Sequence, residues 1–155
     1  MNEKLLEKHL VKELDHLKKI VIIQLDDGSY ELYDKYRIQK KQDGTYLVTV
    51  YGTFTEKNFY KLKNATAWCG YDRRNYNRDA KRIHQLDQMI YSMDNEIQIH
   101  TALVKKAKVM ETKLIYLSKL TEDKAKKRKF SDELSRFLTE FDRYQNKLYD
   151  RKPTY

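Results

Sequence analysis

The sequence predicts an α+β protein: an N-terminal helix, a small antiparallel β-meander with a helix packed on it, then a long C-terminal antiparallel helical hairpin. Three observations predict it. Ile83, Leu86, Ile90, Met93, Ile97, Val104 and Ala107, with His100 in the remaining slot, step by 3 and 4 without a Gly or Pro between them. A second seam, Phe130, Leu134, Phe137, Phe141, Tyr144 and Leu148, has the same spacing and is strongly aromatic. Between Ile20 and Thr55 the apolar pattern changes to short β-branched and alternating runs, punctuated by Asp43-Gly44, a pair that tolerates the positive φ of tight hairpin turns.

Taken in order, Asn2 can cap a first helix whose stripe is Leu6, Leu10, Leu14 and Leu17, ending near Lys18. Ile20–Ile23 reads as a buried strand ended by Asp26-Asp27-Gly28-Ser29. Short strands follow at Tyr30–Tyr33 and Tyr36–Lys41, and Thr45–Tyr51 alternates two faces. Gly52 breaks or bulges that strand, and Thr53–Thr55 can extend it, giving three or four strands in all. Asn58–Asp72 reads as a helix capped by Asn58, with Trp68 its largest core residue and Gly70 weakening or ending it. The long seam then spans about Asn75 to Lys119, where a change of register near Lys106–Met110 predicts an overwound turn or a break. Thr121 before Glu122-Asp123 suggests the start of the last helix, so the hairpin is expected to turn within Ser118–Lys129. The chain divides accordingly into an α+β unit, 1–72, and a helical extension, 73–155.

A last helix this short covers only the distal half of the long one. Ile83, Leu86, Ile90, Met93 and Ile97 must then find cover elsewhere, on the first helix, the sheet or a second copy, and a homo-oligomer or another protein is the expected partner. One Pro, four Gly and 13 Tyr agree with long elements and amphipathic packing surfaces.

The net charge of +9 is concentrated after residue 72, where 20 Lys/Arg face 12 Asp/Glu, against 12 and 11 before it. Three clusters stand out: Lys105, Lys106 and Lys108, and two larger ones, Arg73, Arg74, Arg78, Lys81 and Arg82, and Lys124, Lys126, Lys127, Arg128 and Lys129. The two larger ones are the candidate contacts for DNA or RNA, the alternative partner. No apolar run approaches the ~20 residues of a membrane span, so no membrane partner is expected. The start lacks the pattern of a signal peptide, and the lone Cys69 suits a reducing, cytoplasmic setting as a small buried hydrophobe.

Chemistry-bearing patterns are sparse. There is no glycine-rich phosphate loop, nucleophile elbow or zinc-peptidase helix, and no catalytic residue, metal ligand set or cofactor is expected. His9 and His16 lie seven apart, His84 and His100 sixteen apart, and nothing adjacent in sequence completes a metal site, so His100 reads as a histidine tolerated in the seam.

Two resemblances bear on function. Tyr30–Asp72, strand, Asp-Gly turn, strand and then Phe59-x-x-Leu62-x-x-Ala65, resembles the small ββα modules that read DNA with one sheet face. That resemblance implies contacts through Tyr36, Arg37, Lys40, Lys41, Thr45 and Tyr46, although the unit is almost neutral. Leu62-Lys63-Asn64-Ala65-Thr66-Ala67-Trp68-Cys69, then Tyr71-Asp72, Ala80-Lys81-Arg82-Ile83 and Leu86-Asp87, resembles an uncharacterised family of small proteins from marine tailed phages. It carries no activity to transfer and implies a viral protein working in the host cytoplasm or in the virion. The expectation is a non-enzymatic structural or interaction protein associating through its long helix.

Overall fold

The computed structural model describes residues 22–150. The expected N-terminal helix up to Lys18 lies outside them. Five strands form one antiparallel sheet in sequence order: β1 (Ile22–Gln24), β2 (Tyr30–Leu32), β3 (Tyr36–Lys40), β4 (Tyr46–Val50) and β5 (Glu56–Phe59). Turn chemistry fixes the register. Tyr33 and Asp34 both take positive φ between β2 and β3, and the Asp43 carboxylate accepts the Thr45 N–H at 2.9 Å beside Gly44. Tyr36 then pairs with Val50 and Ile38 with Val48.

The meander has one strand more than the pattern suggested. Gly52 adopts φ +77 and Thr53 N–H donates to Val50 O, so the chain turns back at this point and β4 is not prolonged. Asn58 and Phe59, expected at the start of a helix, end β5. The helix α1 begins instead at Leu62 and runs to Arg73. Asn58 does not cap it, and no side chain caps its first turn; the carboxylate of Asp87, on a later helix, instead holds the Tyr60 and Lys61 N–H groups just ahead of it.

Leu32, Tyr36, Ile38, Val48 and Phe59 fill the covered sheet face with no exposure. Against them lies α1, buried continuously from Asn64 to Tyr71 because it is covered on both sides. One side meets the sheet, where Trp68 lies edge-on to Tyr36 at 6.0 Å between ring centroids. On the other side Tyr71 meets Phe137 edge-on at 6.0 Å and donates its hydroxyl to the Phe137 carbonyl. Gly70 neither ends nor weakens α1; its missing side chain makes room for Phe141. Cys69 is fully buried, as expected for a small hydrophobe.

Helix α2 (Asn77–Lys106) and helix α3 (Met110–Asp150) form the outer layer. The break at 107–109 falls where the seam changed register, and it is the hairpin turn itself. No turn occurs within Ser118–Lys129. Thr121 bonds back to the Leu117 carbonyl at 2.9 Å inside the helix instead of capping a new one, and no Gly or Pro interrupts the stretch. Lys105 and Lys106 at the end of α2 and Glu111 at the start of α3 suit the two helix dipoles. With 41 residues against 30, α3 runs back along the whole of α2 and reaches α1. One buried cluster therefore extends from Leu32 through Trp68, Ile83 and Leu86 to Phe141. No helix among the described residues is long and apolar enough to cross a membrane.

Candidate functional site

The longer α3 changes the meaning of the first half of the seam. Ile83 and Leu86, expected at an interface between copies, are fully buried in the chain's own core. Ile90 packs against that core, while Met93 and Ile97 are partly covered. The aromatic seam of α3 is what covers them, with Leu134 and Phe141 buried and Phe130 and Phe137 packed alongside.

The basic clusters divide into structural and exposed members. Arg74 is caged, its guanidinium 3.7 Å from the Tyr144 ring centroid and 4.9 Å from both Tyr71 and Tyr76. Arg73 lies over Tyr33. Arg82 grips Glu133 across the hairpin with two hydrogen bonds, its Nη2 at 2.8 Å from Oε1. That grip holds the Glu133 carboxyl below its ordinary range, helped by Arg136 and Lys129. Lys127 is paired to Asp94 at 2.5 Å. Arg78, Lys81, Lys124, Lys126, Arg128 and Lys129 are exposed. Antiparallel packing thus brings Arg82 of one cluster and Lys129 of the other, 47 residues apart in the chain, to the same carboxylate, together with Arg136, which belonged to neither.

The sheet face suggested for DNA is differently composed. Tyr36 and Tyr46 point to the core side, where the Tyr36 hydroxyl donates to Asp72 at 2.5 Å and burial raises its pKa. Thr45 is buried and bonded to Asp43. Arg37 is drawn to Asp27 and Ser29. Only Lys40 and Lys41 of that set are exposed.

An open cleft of about 810 Å³ lies between the Gly44 turn, the N-terminus of α1, and helices α2 and α3. Its floor holds Asp87, 2% exposed, which accepts the Tyr60 N–H at 2.9 Å, the Lys61 N–H at 3.3 Å and the side-chain amides of Asn64 and Gln88 at 2.9 Å. Tyr60 and Tyr91 stack on one wall, centroids 3.6 Å apart. The rest of the lining mixes amides and hydroxyls such as Asn95, Ser131 and Ser135 with charged Lys61, Lys63 and Asp94 and apolar Ile90 and Leu138. Asp87 is engaged by four donors, and in the cleft lining the Thr45 hydroxyl donates to Asp43 at 2.6 Å as part of the hairpin turn. Next to it, His84 and Gln88 both hold the outward Asn58 carbonyl at 2.9 Å, which covers the edge of β5.

At the far end of the hairpin the packing stops. Val109, Met110, Leu114 and Ile115 are 57–66% exposed, and Ile99 is 52% exposed. Lys105, Lys106, Lys108, Lys113 and Lys119 are exposed around them, with Glu111 the acid among them. In the sequence the long seam reads as running on to Lys119, through Met110 and Leu114, because the turn is placed a dozen residues too late.

Behind this tip, the structure supplies His100 with the carboxylates that sequence proximity did not reveal. Its Nδ1 is hydrogen-bonded to Asp123 on α3, and its Nε2 lies 4.0 Å from Glu96, one turn earlier on α2. Compared with protein-family models, curated proteins and solved structures, the chain matches none. What fold and surfaces define is a class: an α+β core carrying a two-helix arm with a bare apolar tip.

Proposed function

We propose that this chain is a non-enzymatic interaction protein whose helical hairpin is a docking arm, and that the docking surface is its tip. The observation that carries this reading is the exposure of Val109, Met110, Leu114 and Ile115 together at the turn, beyond the reach of the core. Contiguous apolar surface of this kind is costly to leave in water and marks binding sites. The lysines around it favour a partner with an apolar ridge and acidic flanks over a second copy, whose own lysines would repel. The likeness to small phage proteins suits an accessory or virion role of this kind.

The test uses a synthetic acidic amphipathic helix, with leucines at a and d positions and glutamates flanking them, as probe. It should bind the full chain, with a negative heat-capacity change from apolar burial. The triple variant Met110→Ser, Leu114→Ser, Ile115→Ser should lose that binding while keeping its thermal midpoint. Equal binding by the variant overturns the reading.

The convergence of Arg82, Lys129 and Arg136 around Glu133 favours a second reading, nucleic-acid binding by that face of the hairpin. Such binding must weaken steeply as salt rises. Lys81→Glu with Lys129→Glu and Arg136→Glu would abolish it and leave binding at the tip intact.

A further inference from the structure

We infer that Glu96, His100 and Asp123 form a divalent metal site of the zinc class that clasps α2 to α3 just behind the tip of the hairpin. The inference is independent of what the tip binds.

One ligand atom from each of the three residues lies within 4.8 Å of the other two. Glu96 and His100 are four apart on α2, the spacing that puts two side chains on one helical face and that metal-binding helices use. Asp123 comes from the facing helix, so an ion held by all three joins the two arms. A tetrahedral ion with bonds of about 2.0–2.2 Å holds its ligands roughly 3.5 Å apart, so Asp123 must draw back from Nδ1 and Glu96, now facing Nε2, must swing toward the same nitrogen to close the set. Water would take the remaining position.

The donor set also selects the ion. An imidazole with two carboxylates suits zinc and its transition-metal neighbours, whereas calcium and magnesium prefer oxygen alone. Two carboxylates and a neutral imidazole carry a formal charge of about −2, which a divalent ion cancels. The cations of this neighbourhood do not fill that role: Lys127 is paired to Asp94, and Lys124 is exposed.

Position gives the site its consequence. Asp123 is 8% exposed and Leu120 9% exposed, and toward the turn from Leu120 the described residues are only partly covered or exposed. The arm beyond has little apolar packing to hold its helices together, so a clasp here stiffens the segment that presents Met110 and Leu114. A bare His–Asp ion pair would also occupy this place, and Glu96 separates the two cases. At 45% side-chain exposure and 4.0 Å from the ring, Glu96 adds little to an ion pair but is needed by a three-ligand site.

The test is titration of the full, chelator-treated chain with Zn²⁺ alone, read by calorimetry and thermal unfolding. With zinc about 100-fold above its dissociation constant, the midpoint should rise by roughly 5–10 °C. Glu96→Gln should leave the metal-free midpoint unchanged and weaken zinc at least about tenfold, a loss that even outer-shell changes produce. His100→Gln should remove the binding. No zinc-dependent shift, or equal zinc affinity in Glu96→Gln and the natural chain, overturns the inference. The Glu96 variant decides the matter even if His100→Gln fails to fold.

Discussion

Phe141 of α3 lies directly on Gly70 of α1: a Cβ built on Gly70 would be 2.9 Å from Cδ1 of the ring and closer still to Cε1. The contact needs glycine because α1 is sandwiched, and Phe141 is itself fully buried on the far side of the hairpin. Gly70→Ala should therefore destabilise the chain despite the better helix propensity of alanine. Overpacking of this size costs about 1–3 kcal/mol. Urea unfolding should show a lower midpoint with an unchanged slope; a neutral or stabilising result would mean that α3 does not reach α1.

Asp87 of α2 accepts the Tyr60 and Lys61 N–H groups just before α1 and the side-chain amides of Asn64 and Gln88, Gln88 having a second acceptor in the Asn58 carbonyl. Asp87→Ala strands the other three in a buried setting, at a cost of about 2–4 kcal/mol. Asp87→Asn, which keeps one acceptor oxygen, should lose less. Equilibrium unfolding of the two variants checks the order.

His84 provides a pH test. Burial holds its pKa below the usual 6.5, and its neutral ring serves the Asn58 carbonyl by donating from Nε2. The unfolded chain then binds the proton more readily. The contribution of His84 is complete above pH 6.5 and declines as pH falls through the depressed folded value. His84→Gln should be less stable at pH 7.5, and the gap should narrow toward pH 5. Parallel stability curves for the two proteins would refute the assignment.

Burial along the hairpin makes a contrasting pair of predictions. Leu86→Ala should cost about 2–5 kcal/mol, because Leu86 is fully enclosed by its own chain. Leu114→Ser, at 57% exposure, should stay within about 0.5 kcal/mol. If the two losses were similar, the tip would be covered in solution. Denaturant unfolding measures both.

The Asp43-Gly44 turn, the role of Trp68 and the break near Lys106 were legible because each rests on local chemistry. The turn residues adopt the φ they favour, and the register slip of the seam lies where α2 ends. What misled was the weight given to Thr121. A threonine before two acids resembles a helix start, but inside a helix its hydroxyl bonds back to the preceding turn as easily. Moving the turn from there to 107–109 lengthens α3, buries Ile83 and Leu86 within the chain and uncovers Met110 and Leu114. Four charges of the basic clusters are engaged by partners distant in sequence, Tyr144 for Arg74, Tyr33 for the exposed Arg73, Glu133 for Arg82 and Asp94 for Lys127. The Glu96–His100–Asp123 set escaped for the same reason, since Asp123 reaches His100 only across the hairpin.

The central claim is that α3 of the same chain covers α2, with the turn at 107–109. The most direct measurement is dipolar coupling between spin labels on cysteines replacing Asp94 and Lys127, which face each other across the two helices; buried Cys69 takes no label. Helices in contact are about 8–10 Å apart, so the labels should couple strongly, and the coupling should persist when labelled protein is diluted into an excess of unlabelled chain. Coupling that is absent, or that disappears on dilution because the facing helix belongs to a second copy, would contradict the account.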